Sequence, residues 1–457
     1  MIELLNLCGF EAQDIESELP RVQKAFKKLG ITAEDIERGK QRLTKYYDIE
    51  LKGVRKILKL AVQDLVNLLL AREEGKTRLI YGFMSPNFHM FGSAVVSKSK
   101  EVYATHLCQQ FQLVVGCIFD KMVPILEAAE KKWLKAGAVA HCGNVKTLVG
   151  LFALDLIQKP DIMITSGLLC DTAPKTINLL HELYDIPTCC YDTCQDREFR
   201  EYPEATKRTV DIFAKSIRRL TKRVEEVVDF EITDDMLWEV LDARSRLGDA
   251  IVKLKSLIES SDPLPISATH EILWTCLSSL PLSIDSLSDA IDAINTLYEE
   301  LQERVNKGLG AVEKGAPRIL ALLPTHFADP RIDHLVGELG IAIVDTDFGF
   351  SARDVGESKD PYEVLALRVQ SSLSSSLSRR IPLLKEGCKK LNVDGVLDRF
   401  TVGCRTTVGD ALIIKDAITK ELGIPALLLE WEGFDPRAYN HEQYKRRLET
   451  FKTMLIK

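Results

Sequence analysis

Between Glu11 and about Glu74 apolar residues return every three or four positions, with Leu51, Val54, Ile57 and Leu58 followed by Val62, Leu65 and Leu69. That period matches the turn of an amphipathic helix, so the sequence predicts an N-terminal helical segment over residues 1–76. From Thr77 to about Pro203 short apolar runs broken by Gly, Pro and Ser replace it: Leu79 to Phe83, Ala136 to Ala140, Ile162 to Thr165, and Ile186 to Tyr191. Continuous apolar runs of this length suit strands buried on both faces, and the stretches between them suit crossover helices. Helical spacing returns over 204–310, most clearly where Val210, Phe213, Ile217, Leu220, Val224 and Val227 step by three and four. That stripe is too short to require a coiled coil and is expected to pack across neighbouring lobes. The glycines and proline of Gly308 to Pro317 read as a linker. Strand candidates then recur at Ile319 to Leu323, Ile341 to Val344, Val393 to Leu397 and Ala426 to Leu429, before a charged helix from His441 to Leu455.

The expected fold is therefore α/β: two Rossmann- or flavodoxin-like lobes with parallel sheets at 77–203 and 311–457, plus the N-terminal and central helical regions. A length of 457 residues agrees, since about 150 residues per domain gives two large lobes or three units. With 46% hydrophobic and 28% charged residues the chain can fill sizeable cores. Its 67 acidic against 60 basic residues leave a net charge of −7, which argues against a general nucleic-acid binder. No apolar run approaches the ~20 residues of a membrane helix; the richest, Ile57 to Ala71, is interrupted by Lys59, Gln63 and Asp64. Glu3, Glu11, Asp14 and Glu16, with no basic leader among them, point to a cytoplasmic chain.

Composition makes cysteine the informative residue. Eleven cysteines without an export signal favour reduced thiols that pack, bind metal or react over a disulfide framework. Three are expected at strand ends, where an open parallel sheet forms its ligand crevice: Cys142 after Ala136 to Ala140, Cys170 after Ile162 to Thr165, and Cys404 after Val396 to Phe400. The lobes also echo one another, each running strand, cysteine, helix and Ile-Pro, at Cys170 with Ile186-Pro187 and at Cys404 with Ile424-Pro425. Two facing lobes could bring the three thiolates together on a [4Fe–4S] cluster, leaving one iron without a protein ligand. The bland alternative is that each is a small buried hydrophobe. A zinc site at Cys189, Cys190 and Cys194 competes, Cys108 is undecided, and Cys8, Cys117, Cys276 and Cys388 sit in apolar helical contexts that read as core.

The stretch His141-Cys142-Gly-Asn-Val-Lys-Thr-Leu-Val-Gly150 resembles the first cluster-cysteine motif of the 2-hydroxyacyl-CoA dehydratase family, which includes subunits of ATP-dependent benzoyl-CoA reductase. Ser166-Gly-Leu-Leu-Cys170-Asp is similar to that family's second cysteine motif. Cys404, with Leu422-Gly-Ile-Pro425-Ala-Leu-Leu-Leu-Glu430-Trp-Glu432 and then Gln443, Arg447 and Phe451, resembles its C-terminal signature. The resemblance covers roughly Thr77 to the C-terminus. Arg405 stands where members often carry histidine, the approach to Cys142 is long, and the extra cysteines of double-cubane members are missing from Val344 to Leu384, so one cluster is expected.

The resemblance implies an iron–sulfur subunit working with a second homologous subunit and a separate ATP-hydrolysing iron–sulfur activator. The activator's electron would drive radical chemistry on an acyl-CoA thioester, either expulsion of a hydroxyl or reduction of an aromatic ring. A noncatalytic scaffold or electron-relay subunit of the same complex is the alternative. No GxxxxGK[ST] pattern occurs, so ATP would be handled by the partner. Cys142, Cys170 and Cys404 are the expected metal ligands, His141 and Glu430 the candidate catalytic groups, with Glu432 beside them, and Ser166 a candidate substrate contact. Phosphates of coenzyme A would need local cations, for which Arg218, Arg219, Lys222 and Arg223, and Lys445, Arg446 and Arg447, are candidates.

Overall fold

Two parallel sheets of four strands organise the chain in a computed structural model that describes residues 1–168, 170–192, 207–322, 327–347, 358–371 and 377–456. In the first, β1 (Arg78–Phe83), β2 (Val102–His106), β3 (Ile162–Thr165) and β4 (Thr188–Cys190) run in the order β2-β1-β3-β4. In the second, β5 (Arg318–Leu322), β6 (Ala342–Thr346), β7 (Gly395–Asp398) and β8 (Ala426–Leu428) repeat that winding as β6-β5-β7-β8. Every neighbouring pair is parallel. Strand order reverses between β1 and β3 and between β5 and β7, so each lobe has its crevice beyond those carboxyl ends.

Side chains alternate across the pleat, and each sheet therefore feeds two cores. Leu79, Tyr81, Phe83 and Met163 of the first sheet enter the same apolar cluster as Leu320, Leu322, Val344 and Val396 of the second. Ile80, Ala104, Ile162 and Ile164 face the other way, towards Val210, Phe213, Ile217, Leu220 and Val224 of the Lys207–Val228 helix and Tyr362 and Leu365 of the Pro361–Ser371 helix. The stripe read in the sequence thus packs on the first sheet and on a helix that follows the second lobe's first strands. Ile319, Ala321, Ile343 and Leu397 meet the Arg331–Glu338 and His441–Leu455 helices in a third core.

One strand expectation changes, and one strand goes unanticipated. Ala136 to Ala140 is not a strand but part of a 3₁₀ turn, Lys135–Ala140. Alanine and glycine give that run too little bulk to hold a buried strand, and Val139, its one β-branched residue, is 84% exposed. The strand that replaces it is β2, five residues ending on Thr105 and His106, which the polar ending hid. The thiols of Cys8, Cys117, Cys276 and Cys388 are buried in the core. Among the described residues no helix is long and apolar enough to cross a membrane.

The N-terminal helices belong to the shared core, with Ile57, Leu58, Leu65 and Leu69 of the Lys52–Leu70 helix fully buried in it. One carboxylate is buried along with them. Asp64 accepts hydrogen bonds from Tyr103 Oη at 3.0 Å, Thr105 Oγ1 at 3.3 Å and Gln110 Nε2 at 3.0 Å. Burial outweighs those bonds and pushes its carboxyl up to about 6. A carboxyl with a raised folded-state value stabilises fully below the unfolded value and loses that contribution as pH rises through the folded one. Relative to Asp64→Asn, the natural chain is therefore expected to lose on the order of 2–3 kcal/mol between pH 4 and 7. Denaturant unfolding of both chains at a series of pH values measures this, and a gap that stays constant over the range would contradict it.

Candidate functional site

Local backbone chemistry places the three cysteines on three loop-to-helix junctions. Cys142 has extended backbone, φ −68° and ψ 160°, and immediately precedes the Gly143–Ala153 helix, whose Val145 N–H donates to its sulfur. Cys170 follows β3, past a turn made by Ser166, whose fully buried Oγ accepts from the Leu168 N–H at 3.2 Å. Cys404 follows β7, with its N–H donating to the Thr401 carbonyl at 2.9 Å, and its own carbonyl starts the Arg405–Val408 turn of helix. Cys170 and Cys404 thus hold equivalent places, each after the third strand of its sheet and beside the reversal in strand order. Cys142 does not share that placement: the segment before it is the 3₁₀ turn, so its expected position at a strand end is corrected.

Glycine lets the two lobes meet here. A methyl group at Gly403 would lie 2.8 Å from the Cys142 nitrogen and 2.9 Å from the His141 carbonyl carbon, closer than real Cβ atoms come. At Gly143 it would lie 2.5 Å from Phe434 Cβ and 3.2 Å from Glu432 Oε1. The Cys404 loop and the loop after β8 are therefore packed backbone to backbone on the start of the Cys142 helix. Phe434 stacks on Phe327 with ring centroids 4.0 Å apart. At the rim Glu130 accepts from Lys146 at 2.9 Å and from Arg437 at 2.7 Å, joining the Cys142 helix to the C-terminal segment.

The thiols sense one another through this packing. Burial pushes the Cys142 thiol far above its ordinary value; the charges of Glu432, then Cys404 and Cys170, push it further. Cys108, buried with a positive φ of 87°, stands behind them with its Sγ 3.9 Å from the Asn144 carbonyl and its thiol raised by burial and by Cys142. His141, half-buried, contributes its backbone to the Gly403 contact.

The two candidate carboxylates separate. β8 ends at Leu428, and the chain does not continue as a strand to Glu432. Glu430 is exposed, while its carbonyl accepts from Tyr444 Oη at 3.1 Å. Glu432 turns inward beside Cys142, accepts from the Phe434 N–H at 3.3 Å and from the Gly143 N–H, and burial pushes its carboxyl up to about 7. Beneath the Cys404 loop Arg399 is wholly buried, paired with Asp333 and 5.5 Å from the Trp431 ring, which fixes the ends of β7 and β8 against each other. Composition offered no signal for this scaffold, because a buried Arg–Asp pair reads in sequence like any surface pair.

Among the described residues no three His, Cys, Asp or Glu side chains close on a point as the ligands of one ion do. Cys170 and Cys404 are nevertheless near enough for the charge of each to act on Cys142. The desolvated Cys142 thiol fits a cationic group, since iron would supply the charge that its ionisation lacks. For the competing zinc reading, Cys189 and Cys190 are successive residues of β4 and point to opposite faces, and Cys194 lies outside the described residues. Three of the seven cationic candidates are committed elsewhere: Arg218 to Asp360 at 2.6 Å, Arg223 to Glu226, and Arg447 to the Leu428 carbonyl.

A family model described as 2-hydroxyglutaryl-CoA dehydratase, D-component, matches residues 102–455, a span that contains all three cysteines and both sheets except β1. The chain belongs to that family. Among its relatives, a benzoyl-CoA reductase subunit of Thauera aromatica is 23% identical over 69% of this chain and 76% of its own length. The alpha subunit of (R)-2-hydroxyglutaryl-CoA dehydratase from Acidaminococcus fermentans is 20% identical, over 64% of this chain and 59% of its own length. The alpha subunit of (R)-phenyllactyl-CoA dehydratase from Clostridium sporogenes is also 20% identical, over 69% of this chain and 77% of its own. The four N-terminal helices, β1 and the Phe88–Lys98 helix precede the matched span, and the four helices and β1 share its core.

If the Gly403 contact sets the position of the Cys404 loop, Gly403→Ala must push that loop off the His141–Cys142 peptide. The expected result is a loss of about 1–3 kcal/mol in stability, from overpacking at a contact that cannot relax without moving backbone. Thermal and denaturant unfolding read it; a variant as stable as the natural chain would show the contact to be loose.

Proposed function

We propose that the chain is the iron–sulfur subunit of a 2-hydroxyacyl-CoA dehydratase or benzoyl-CoA reductase-type enzyme, with Cys142, Cys170 and Cys404 as its cluster ligands. The observation that carries the reading is the packing of the Cys404 loop on the His141–Cys142 peptide through Gly403, with the charges of Glu432, Cys404 and Cys170 all acting on the Cys142 thiol. When bound, a [4Fe–4S] cluster supplies low-potential one-electron transfer and, with three protein thiolates, an iron open to a thioester substrate.

The rest is the work of this chain's own residues. The three thiols hold and orient the cluster from three different junctions, so neither lobe can bind it alone. Packing of Gly403 and Gly143 goes with a desolvated Cys142 sulfur, and a dry site with few donors to sulfur would favour a low potential. Glu432, near half protonation at neutral pH, holds a proton at the site and serves as the acid for a departing hydroxyl or a reduced ring carbon. It takes that role in place of Glu430, whose side chain is exposed. His141, next to Cys142, is the second proton donor of the reading, and Ser166 lines the approach after fixing its own turn. The electron comes from an ATP-hydrolysing iron–sulfur activator, and a second homologous subunit completes the enzyme. Relatives named as single subunits of larger enzymes support that arrangement.

Purified without oxygen, the chain is expected to carry about 4 iron and 4 acid-labile sulfide. Cys142→Ser, Cys170→Ser and Cys404→Ser should each remove most of both, and Cys388→Ser neither. A folded chain holding zinc, or no metal under those conditions, overturns the reading and leaves a scaffold subunit.

A further inference from the structure

On the other side of the loop that follows β1 lies a cavity of about 370 Å³, bordered by Asn87, His89, Arg244, Leu247, Ile251 and Arg368. Its polar groups carry one sign of charge. Arg244 is buried, yet all its partners are neutral: Ser93 Oγ at 2.8 Å, the Ser278 carbonyl at 3.3 Å and the Leu280 carbonyl. Its Nε has no partner, and burial pushes the guanidinium down to about 9. Arg368 is half-buried and is likewise held low by burial; Asp249, the carboxylate that acts on it, is exposed. His89 is held neutral by burial and by both arginines. Neither arginine has a carboxylate within ion-pair distance among the described residues.

Two arginines bordering one cavity without an ion-pair partner are costly, because each loses water without a carboxylate to replace it. A bound anion reverses both effects, and a guanidinium pairs with phosphate oxygens through two parallel bonds. The apolar walls at Leu247 and Ile251 favour a phosphate ester with a ring or chain attached over inorganic phosphate. The position is informative too. Met84, at one end of the short loop, accepts from Asn144 Nδ2 at 3.5 Å, two residues into the helix that Cys142 opens. Pro86 and Asn87, at its other end, border the cavity. A chain of four residues spans at most about 14 Å, so one short loop links the cavity border to the helix that Cys142 opens.

We infer that this cavity binds the phosphate end of the acyl carrier, with Arg244 and Arg368 as the anion-binding pair and the thioester arm running past the Met84–Asn87 loop towards the cysteines. The choice of occupant rests on the acyl-CoA reading above; the anion site does not. Neither arginine belongs to the basic clusters that the sequence singled out.

Calorimetric titration of the full-length chain with coenzyme A, 3′-dephospho-coenzyme A, adenosine monophosphate and inorganic phosphate tests this. Coenzyme A is expected to bind, at least tenfold more weakly to Arg368→Gln and Arg244→Gln, and unchanged to the surface control Lys307→Gln. Arg368 is partly exposed, so its variant should keep the natural melting temperature even if the Arg244 variant does not fold. Coenzyme A binding that ignores Arg368→Gln overturns the site and leaves the acyl-CoA reading standing. Adenosine monophosphate or phosphate binding that is lost in Arg368→Gln, with no binding of coenzyme A, establishes the anion site and overturns the acyl-CoA occupant. Binding of none of the four overturns the inference.

Discussion

The approach of Gly403 to the His141–Cys142 peptide is the contact on which the site depends. At most positions a side chain keeps two loops from different lobes several ångströms apart. Here a missing Cβ on each side, at Gly403 and Gly143, brings the loop after β7 and the loop after β8 against the start of one helix. That proximity is rigid because alternate residues of both sheets enter a single core, so that the lobes cannot slide without opening it. The charged clamp of Glu130, Lys146 and Arg437 adds little by comparison, being partly solvated. It works as a rim on an arrangement that apolar packing has already made.

The same packing sets the chemistry. The Cys142 thiol, desolvated and within reach of the charges of Glu432, Cys404 and Cys170, resists ionisation on its own. On the proposed assignment, positive charge delivered by a metal would remove that penalty at Cys142 and so couple cofactor binding to the interlobe contact. Glu432 is tuned by the same loss of water, and its position beside Cys142 follows from the contact at Gly143 rather than from the strand alternation that would have aimed it.

Much of this was legible from residue patterns. The terminal helix, His441–Leu455, has the bounds its charged amphipathic repeat implied, and Ile162 to Thr165 and Ala426 to Leu428 are strands because branched or large apolar residues fill them. Ala136 to Ala140 misled because small residues look apolar yet bury too little area to hold a strand. β2 escaped notice because Thr105 and His106 close it with polar side chains, one of which serves Asp64 through a contact visible only in three dimensions. Glu430 and Glu432 could not be told apart without knowing that β8 stops at Leu428. Arg244 and Arg368 carried no signal at all, since a cation in a helix reads as solvated until its neighbours are known.

The two sheets are wound alike, and Cys170 and Cys404 sit on them like matching parts. A perfectly repeated architecture would call for thiols in even number, yet Cys142 springs from the long excursion between β2 and β3, and the corresponding excursion between β6 and β7 offers only Cys388, sealed in the core. On the proposed assignment, the mismatch between halves gives three ligands rather than four. In a descendant of a doubled ancestor, the unfilled fourth place would then be a by-product of broken symmetry, and turnover would occur where the second half never supplied its sulfur.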